Sequence, residues 1–269
     1  MKLKKWLSVT AIGLLTAGVL AACGAGEGTS NGGASSDGKD KKVLVMGTSA
    51  DYPPFEYIDT AKGDSEAIGF DVDLAKTIGK KLGYDVQVKD MEFGGLIPAL
   101  QSNKVDLVLA GMTPTEKRKK NVDFSDVYYE AKNMIVSKKD APIKNAEELK
   151  GKTVGVQTSS IQADEAKEIA KEVDGVNVTT RDRIPELIQE MKSNRIDAAI
   201  IEDTVAKGYV NKDKSLQMSD TGRPDSSKGS AIAFPKDSKL TNDFNRELKK
   251  MKENGELDKL IVKWFDDQK

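Results

Sequence analysis

From Lys42 onward the chain repeats one grammar, a short apolar run followed by a stretch with helical spacing, and it does so in two successive halves. "KVLVMGT" reads as a buried strand, and "GFDVDLAKTIGKKLG" places Leu74, Ala75, Ile78 and Leu82 on one helical face with Gly83 as a stop. "YDVQVKDM" alternates as a strand, "LIPALQSN" reads as a helix and "VDLVLAG" as a second buried strand. Beyond Lys150 the pattern restarts with "KTVGVQT", "ADEAKEIAKEVDG", "VNVTTRD", "IPELIQEMKSN" and "IDAAIIED". Strands alternating with helices specify an α/β fold with largely parallel sheets.

The halves echo each other in short stretches. "VLVMGTSA" (43–50) parallels "TVGVQTSS" (153–160), and "SNKVDLVLAG" (102–111) parallels "SNRIDAAIIE" (193–202), which suggests two similar lobes. Ligands of open α/β sheets sit beyond the carboxyl ends of the strands. Those ends are Thr48-Ser49, Ala110-Gly111, Thr158-Ser159 and Glu202-Asp203, all small, hydroxylic or acidic, as a cleft for a small polar molecule requires. The final stretch from "GSAIAFPKDS" to "IVKWF" supplies one more strand and then helices, which are expected to pack back on one of the lobes.

Ahead of this body stands "MKLKKWLSVTAIGLLTAGVLAAC", a cationic start, an apolar run too short for a bilayer and small residues before Cys23. It reads as a lipoprotein signal over residues 1–22, with Cys23 as the lipidated new N-terminus. Residues 23–42, rich in Gly and Ser, read as a flexible tether that carries the soluble part outside the cell. Cys23 is the only cysteine, so a disulfide framework is excluded. Acids and bases balance to a net charge of −1 without a strongly basic region, which argues against nucleic acid as a partner. There is no histidine, which removes the commonest general base and the commonest metal ligand. No cofactor is expected.

"LAGMTPTEKRKKNVDFS" (109–125) holds the densest group of cations. "TPTE" reads as a capping box with Thr113 as N-cap, Pro114 at N1 and Glu116 at N3, so a helix starts just after Gly111. Its free N–H groups favour an anion. Arg118, one turn inside, could add a planar fork for a carboxylate, although taken alone it reads first as a solvated helix charge, as Lys117, Lys119 and Lys120 do.

Together with "GTSADYPPFEY", "GFDVDLAKTIGKKLG", "DMEFGGLIPALQSNKVDLVLAGMTPTEKRKKNVDFSDVYY", "GKTVGVQTSSIQ", "SNRIDAAIIEDTVA" and "ENGELDKLIVKWF", this stretch resembles the polar-amino-acid solute-binding proteins of bacterial ABC importers across nearly all of residues 43–266. Within that family the chain is most similar to arginine-binding lipoproteins of Gram-positive bacteria. The resemblance implies a two-lobed periplasmic-binding-protein type II fold with two hinge strands. Lobe one would comprise 43–130 and 230–269, lobe two 131–229, with crossings near Tyr129–Lys132 and Lys228–Ser230.

The same resemblance implies the site. Arg118 would hold the ligand carboxylate, helped by Gly111 and Thr113, with Ala110 and Met112 on the same segment. Gln157, Ser159, Ser160 and Ile161 match the loop whose amides meet that carboxylate, with Ser159 where the family usually has glycine. Glu202 stands where the family usually has an aspartate pairing the α-ammonium, with Asp203 as the fallback. Tyr52 and Phe93 match the aromatic pair that sandwiches the ligand side chain, as flat rings suit a guanidinium. Ser49 occupies a position where the family often has an acid; Asp51 is the first choice for the counter-charge to a cationic ligand, ahead of Glu130, and Glu56 lies beyond the Pro-Pro turn.

The expected activity is capture of L-arginine or another cationic amino acid, and its delivery to a membrane permease by a monomeric protein anchored to the membrane only through lipidated Cys23. Three alternatives stand beside it. A binder of glutamine or another neutral polar amino acid shares nearly every motif. A dehydratase on the same fold would need a placed acid or base, and a receptor sensor domain would need a signalling module after Lys269.

Overall fold

The computed structural model describes residues 42–59, 66–224 and 229–266. The signal segment, Cys23, most of the tether, and Lys228 at the second expected crossing lie outside these residues.

The first half contributes β1 (Lys42–Thr48), β2 (Asp51–Tyr52), β3 (Glu56–Ile58), β4 (Ala67–Ile68), α1 (Phe70–Lys81), β5 (Tyr84–Asp90), α2 (Leu96–Gln101), β6 (Leu107–Val108), α3 (Glu116–Lys119) and β7 (Asp123–Phe124). The second contributes β8 (Asn133–Lys138), β9 (Thr153–Gln157), α4 (Ile161–Glu172), β10 (Asn177–Arg181), α5 (Ile184–Lys192), β11 (Ala198–Glu202), α6 (Asp203–Lys212) and β12 (Leu216–Asp220). The chain closes with β13 (Ala233–Phe234), α7 (Lys239–Glu253) and α8 (Glu256–Ile261).

Among the described residues two five-stranded sheets result, ordered β5-β1-β6-β13-β7 and β10-β9-β11-β8-β12. In each, three parallel strands are followed by a fourth that runs antiparallel to them and a fifth that pairs antiparallel with the fourth. β2, β3 and β4 form a small separate antiparallel sheet.

The sequence echo has a structural counterpart. Asn103 and Asn194 both adopt left-handed backbone, at φ 53° and 57°, to turn from helix to strand. Three residues on, Asp106 accepts from the Val45 amide at 2.7 Å and Asp197 from the Thr153 amide at 2.8 Å. The two "SN" turns and the aspartates after them thus tie equivalent strands to the entrance of their neighbours in both lobes.

α1 shows how the core assembles. Phe70, Leu74 and Ile78, four residues apart, are fully buried. Each such side chain contributes about 1.5–3 kcal/mol of burial. β13 returns to the first sheet beside β6, so the terminal helices follow it to that lobe.

The chain crosses between sheets through two adjacent extended segments. Tyr129 and Ser230 form an antiparallel bridge, with the Ser230 amide donating to the Tyr129 carbonyl at 2.7 Å. Gly229 beside it has φ 78°, and a Cβ there would lie 2.5 Å from that carbonyl oxygen, so a larger residue would push the two segments apart. The Tyr129 ring stacks on Phe265 at 4.4 Å, and its hydroxyl meets the Thr204 hydroxyl at 3.2 Å.

Candidate functional site

The carboxyl ends of β1, β6, β9 and β11 converge on a small cavity between the two sheets. Ser49, Tyr52, Phe93, Ala110, Gly111, Thr113, Arg118, Gln157, Ser160, Ile161 and Glu202 line it, joined by Glu56 and Gln162. Asp51, Met112 and Ser159 are not among its lining residues.

The basic stretch divides sharply. Lys117, Lys119 and Lys120 are exposed, whereas Arg118 is only 8% exposed. The N-cap differs from the expected one. Thr115, not Thr113, receives the Arg118 amide, at 3.2 Å, and α3 spans only Glu116–Lys119. Thr113 acts instead through its carbonyl, which accepts from Arg118 Nη1 at 2.9 Å. The capping box fails because the chain stays extended through Thr115, which moves the helix start two residues downstream.

Arg118 Nη2 reaches across the cleft to the Ser159 carbonyl at 3.0 Å. Two of the five guanidinium N–H groups are thereby used, leaving donors for an anion in the cavity. The Phe93 ring lies 5.2 Å from this guanidinium, so Phe93 covers the protein's own cation. Burial lowers the Arg118 pKa to about 10, opposed by Asp164, and the group stays charged at neutral pH.

The second lobe completes this end through the start of α4. Ser160 caps the helix, accepting from the Ala163 amide at 3.0 Å and donating to the Gln157 carbonyl at 2.7 Å, so its hydroxyl is already engaged. The uncapped amides of the first turn and the helix dipole favour negative charge where Ile161 and Gln162 meet the cavity. Ser159 has φ 63°, a left-handed conformation that explains why glycine suits this position. Gln162 escaped the sequence reading because the first turn of a helix carries no mark of which side chain faces a cleft. Its amide donates to Asn133 at 2.7 Å, and Asn133 in turn donates to the buried Glu165.

The opposite character gathers around Tyr52. Its hydroxyl donates to Glu202 Oε2 at 3.4 Å, and its ring packs under Gly111. Gly111 has φ 55°, and a Cβ there would sit 3.1 Å from the ring. Glu202 is 4% exposed and lines the cavity, while Asp203 is spent locally, its carboxylate accepting from the Thr204 amide at 2.9 Å.

The acid expected to face a cationic side chain is displaced from that role. Asp51, 8% exposed, accepts from the Ser49 hydroxyl at 2.7 Å, the Ile184 amide at 2.6 Å and Arg183 Nη1 at 3.4 Å. It caps α5 of the other lobe rather than looking into the cavity. Burial raises its pKa, and these three donors hold the rise in check. Glu130 is exposed at the hinge.

Glu56 lines the cavity instead, 1% exposed, with no hydrogen-bond partner for either oxygen among the described residues. Burial first, and then Asp71 beside it, push its carboxyl well above the usual glutamate range. A deeply buried carboxylate facing a cavity without a donor is unstable unless it is protonated or met by a cation.

These features define a two-lobed site for a zwitterion, with a cationic patch for a carboxylate and an acidic one for an ammonium. The sequence profile of the bacterial extracellular solute-binding proteins, family 3, matches residues 44–267, and the chain belongs to that family. It is 53% identical over 270 residues to the arginine-binding extracellular protein ArtP of Bacillus subtilis, covering 99% of this chain and 100% of that one. Among solved structures, an ancestral arginine-binding protein bound to arginine superposes with a TM-score of 0.77 at 45% identity, covering 83% of this chain and 98% of the other. The ancestral arginine-binding protein bound to glutamine also gives 0.77, at 44% identity, covering 83% of this chain and 97% of the other.

Proposed function

We propose that this protein captures L-arginine, or a closely related cationic amino acid, and delivers it to the membrane permease of an ABC importer without chemically transforming it. The observation that carries this reading is Glu56, a buried carboxylate that faces the cavity with neither oxygen hydrogen-bonded among the described residues. In this reading Arg118 and the first turn of α4 hold the ligand carboxylate, and Glu202 pairs with the α-ammonium. Glu56 receives the guanidinium. The similarity to ArtP supports the choice of ligand.

Ion pairs in a cleft sealed by two lobes are desolvated, and removing one partner of such a pair costs about 2–5 kcal/mol. That is the physical basis for affinity and for rejecting ligands with an acidic side chain. Glutamine is the second reading, because an ancestral arginine-binding protein of the same fold has been solved with glutamine bound. Calorimetry of the purified protein against the twenty amino acids tests both. Arginine is expected to bind most tightly; tight glutamine binding without a response to arginine would overturn the leading reading.

The sequence before Lys42 supports attachment to the outer face of the cell membrane through lipidated Cys23. Metabolic labelling with a palmitate analogue tests this. Label in the wild-type protein and none in Cys23→Ser is expected; equal labelling of both would refute it.

A further inference from the structure

Glu56 is one half of a pair. Its neighbour Asp71, on α1, is fully buried, accepts from the Gly111 amide at 2.9 Å and from the Tyr128 hydroxyl at 2.8 Å through Oδ2, and has no partner for Oδ1 among the described residues. Two ionised carboxylates can only accept, so nothing joins them as anions. With one proton between them Glu56 becomes a donor to Asp71.

The surroundings favour that proton. The charged or titratable groups facing Glu56 are Asp71 from α1, Asp51 and Tyr52 from β2, and Glu202 from β11, and Tyr128 adds a hydroxyl from the segment before the hinge. Asp51 is tied to Arg183. Among the described residues Arg118 is the only cation lining the cavity, and it is held by the Thr113 and Ser159 carbonyls.

We propose that Glu56 and Asp71 form a proton-sharing pair that sets which side-chain charge the cleft accepts: a cationic side chain displaces the shared proton to solvent, and a neutral amide side chain binds with the proton retained. The balance is simple. A guanidinium brings one positive charge to Glu56, the proton leaves to the buffer, and the local charge is unchanged. With an amide, the proton stays between Glu56 and Asp71 and the side-chain N–H donates to the other oxygen of Glu56. Asp71 is therefore a positioning residue for specificity, although it touches no ligand. Burial raises both carboxyl pKa values, and repulsion from Asp71 adds to the rise of Glu56, in agreement with a proton held between them. The inference rests on the reading of Glu56 as the guanidinium partner.

The test is calorimetry of the wild-type protein with L-arginine, near pH 6, in buffers of different ionisation enthalpy, which counts protons released. Release of about one proton per arginine is expected, with arginine affinity rising as pH rises through the range where the empty pair holds its proton. Glutamine, as the neutral probe, is expected to release none. Glu56→Gln should weaken arginine at least about 10-fold and abolish the release. Asp71→Asn, which keeps an acceptor for Gly111 and Tyr128, should bind arginine with the release largely lost. Arginine binding without proton release, or the same release for both ligands, overturns the pair and leaves the functional reading standing. Absence of arginine binding overturns both. Should either variant fail to fold, the wild-type proton count alone decides.

Discussion

Arg183 of the second lobe forks onto Asp90 of the first, Nη1 to Oδ1 at 2.9 Å and Nη2 to Oδ2 at 3.0 Å, and the same Nη1 lies 3.4 Å from Asp51. This clasp sits outside the cavity and joins the lobes at their rim. Closure of two lobes around a ligand is favoured by any contact that joins them, so this clasp acts on affinity from a distance.

Arg183→Ala is accordingly expected to weaken every ligand through faster dissociation. The pair is partly exposed, which limits its worth to about 1 kcal/mol, or roughly a fivefold rise in Kd. Stopped-flow dissociation rates at low and high salt check this. The wild-type rate should approach the variant's as salt rises.

Asp51→Asn should weaken arginine and glutamine by the same factor. The carboxylate serves the Ile184 amide and Arg183, not the cavity. A selective loss of cationic ligands, measured by parallel titrations, would return Asp51 to the ligand.

Arg118→Ala is expected to raise Kd for any amino acid by about 2–5 kcal/mol, because the ligand carboxylate would be buried without its charge partner. Arg118→Lys should restore little. A lysine brings one point charge and cannot reach the Thr113 and Ser159 carbonyls with a planar fork while still meeting a carboxylate.

The ligand-free protein should lose stability as pH rises above the ordinary carboxylate range. Glu56 and Asp71 have folded-state pKa values raised above their unfolded ones, so their contribution is fully present at low pH and lost as pH climbs through the raised values. Asp123 and Asp220, whose values are lowered by lysine and backbone donors, give the opposite dependence, but only below the ordinary aspartate value. Thermal melts at about pH 5 and about pH 8 check the sign. The stabilisation by added arginine should be larger at the higher pH.

Much of the architecture was legible because it depends on local periodicity. The apolar face of α1, the parallel runs β1 and β9, and the two "SN" turns follow from spacing and from the backbone preferences of Asn. Arg118 was singled out only by the family resemblance, since a fork-bearing residue in a row of lysines reads locally as one more solvated charge. The start of α3 was misplaced by two residues, since Thr113 and Thr115 are both competent caps and flank the same proline.

By itself the sequence determined the α/β order, the doubling of one strand-and-helix pattern, and the set of charges available to a polar cleft. Which acid faces that cleft was decided only in three dimensions. Asp51 and Glu56 lie on neighbouring short strands, and nothing local separates them. The fold brings the Ile184 amide and Arg183 onto Asp51 and satisfies it, while Glu56 meets the cavity with acidic neighbours and no donor among the described residues. Hydrogen-bond donors supplied from more than 130 residues away set the difference, and a contact of that span leaves no periodic trace along the chain.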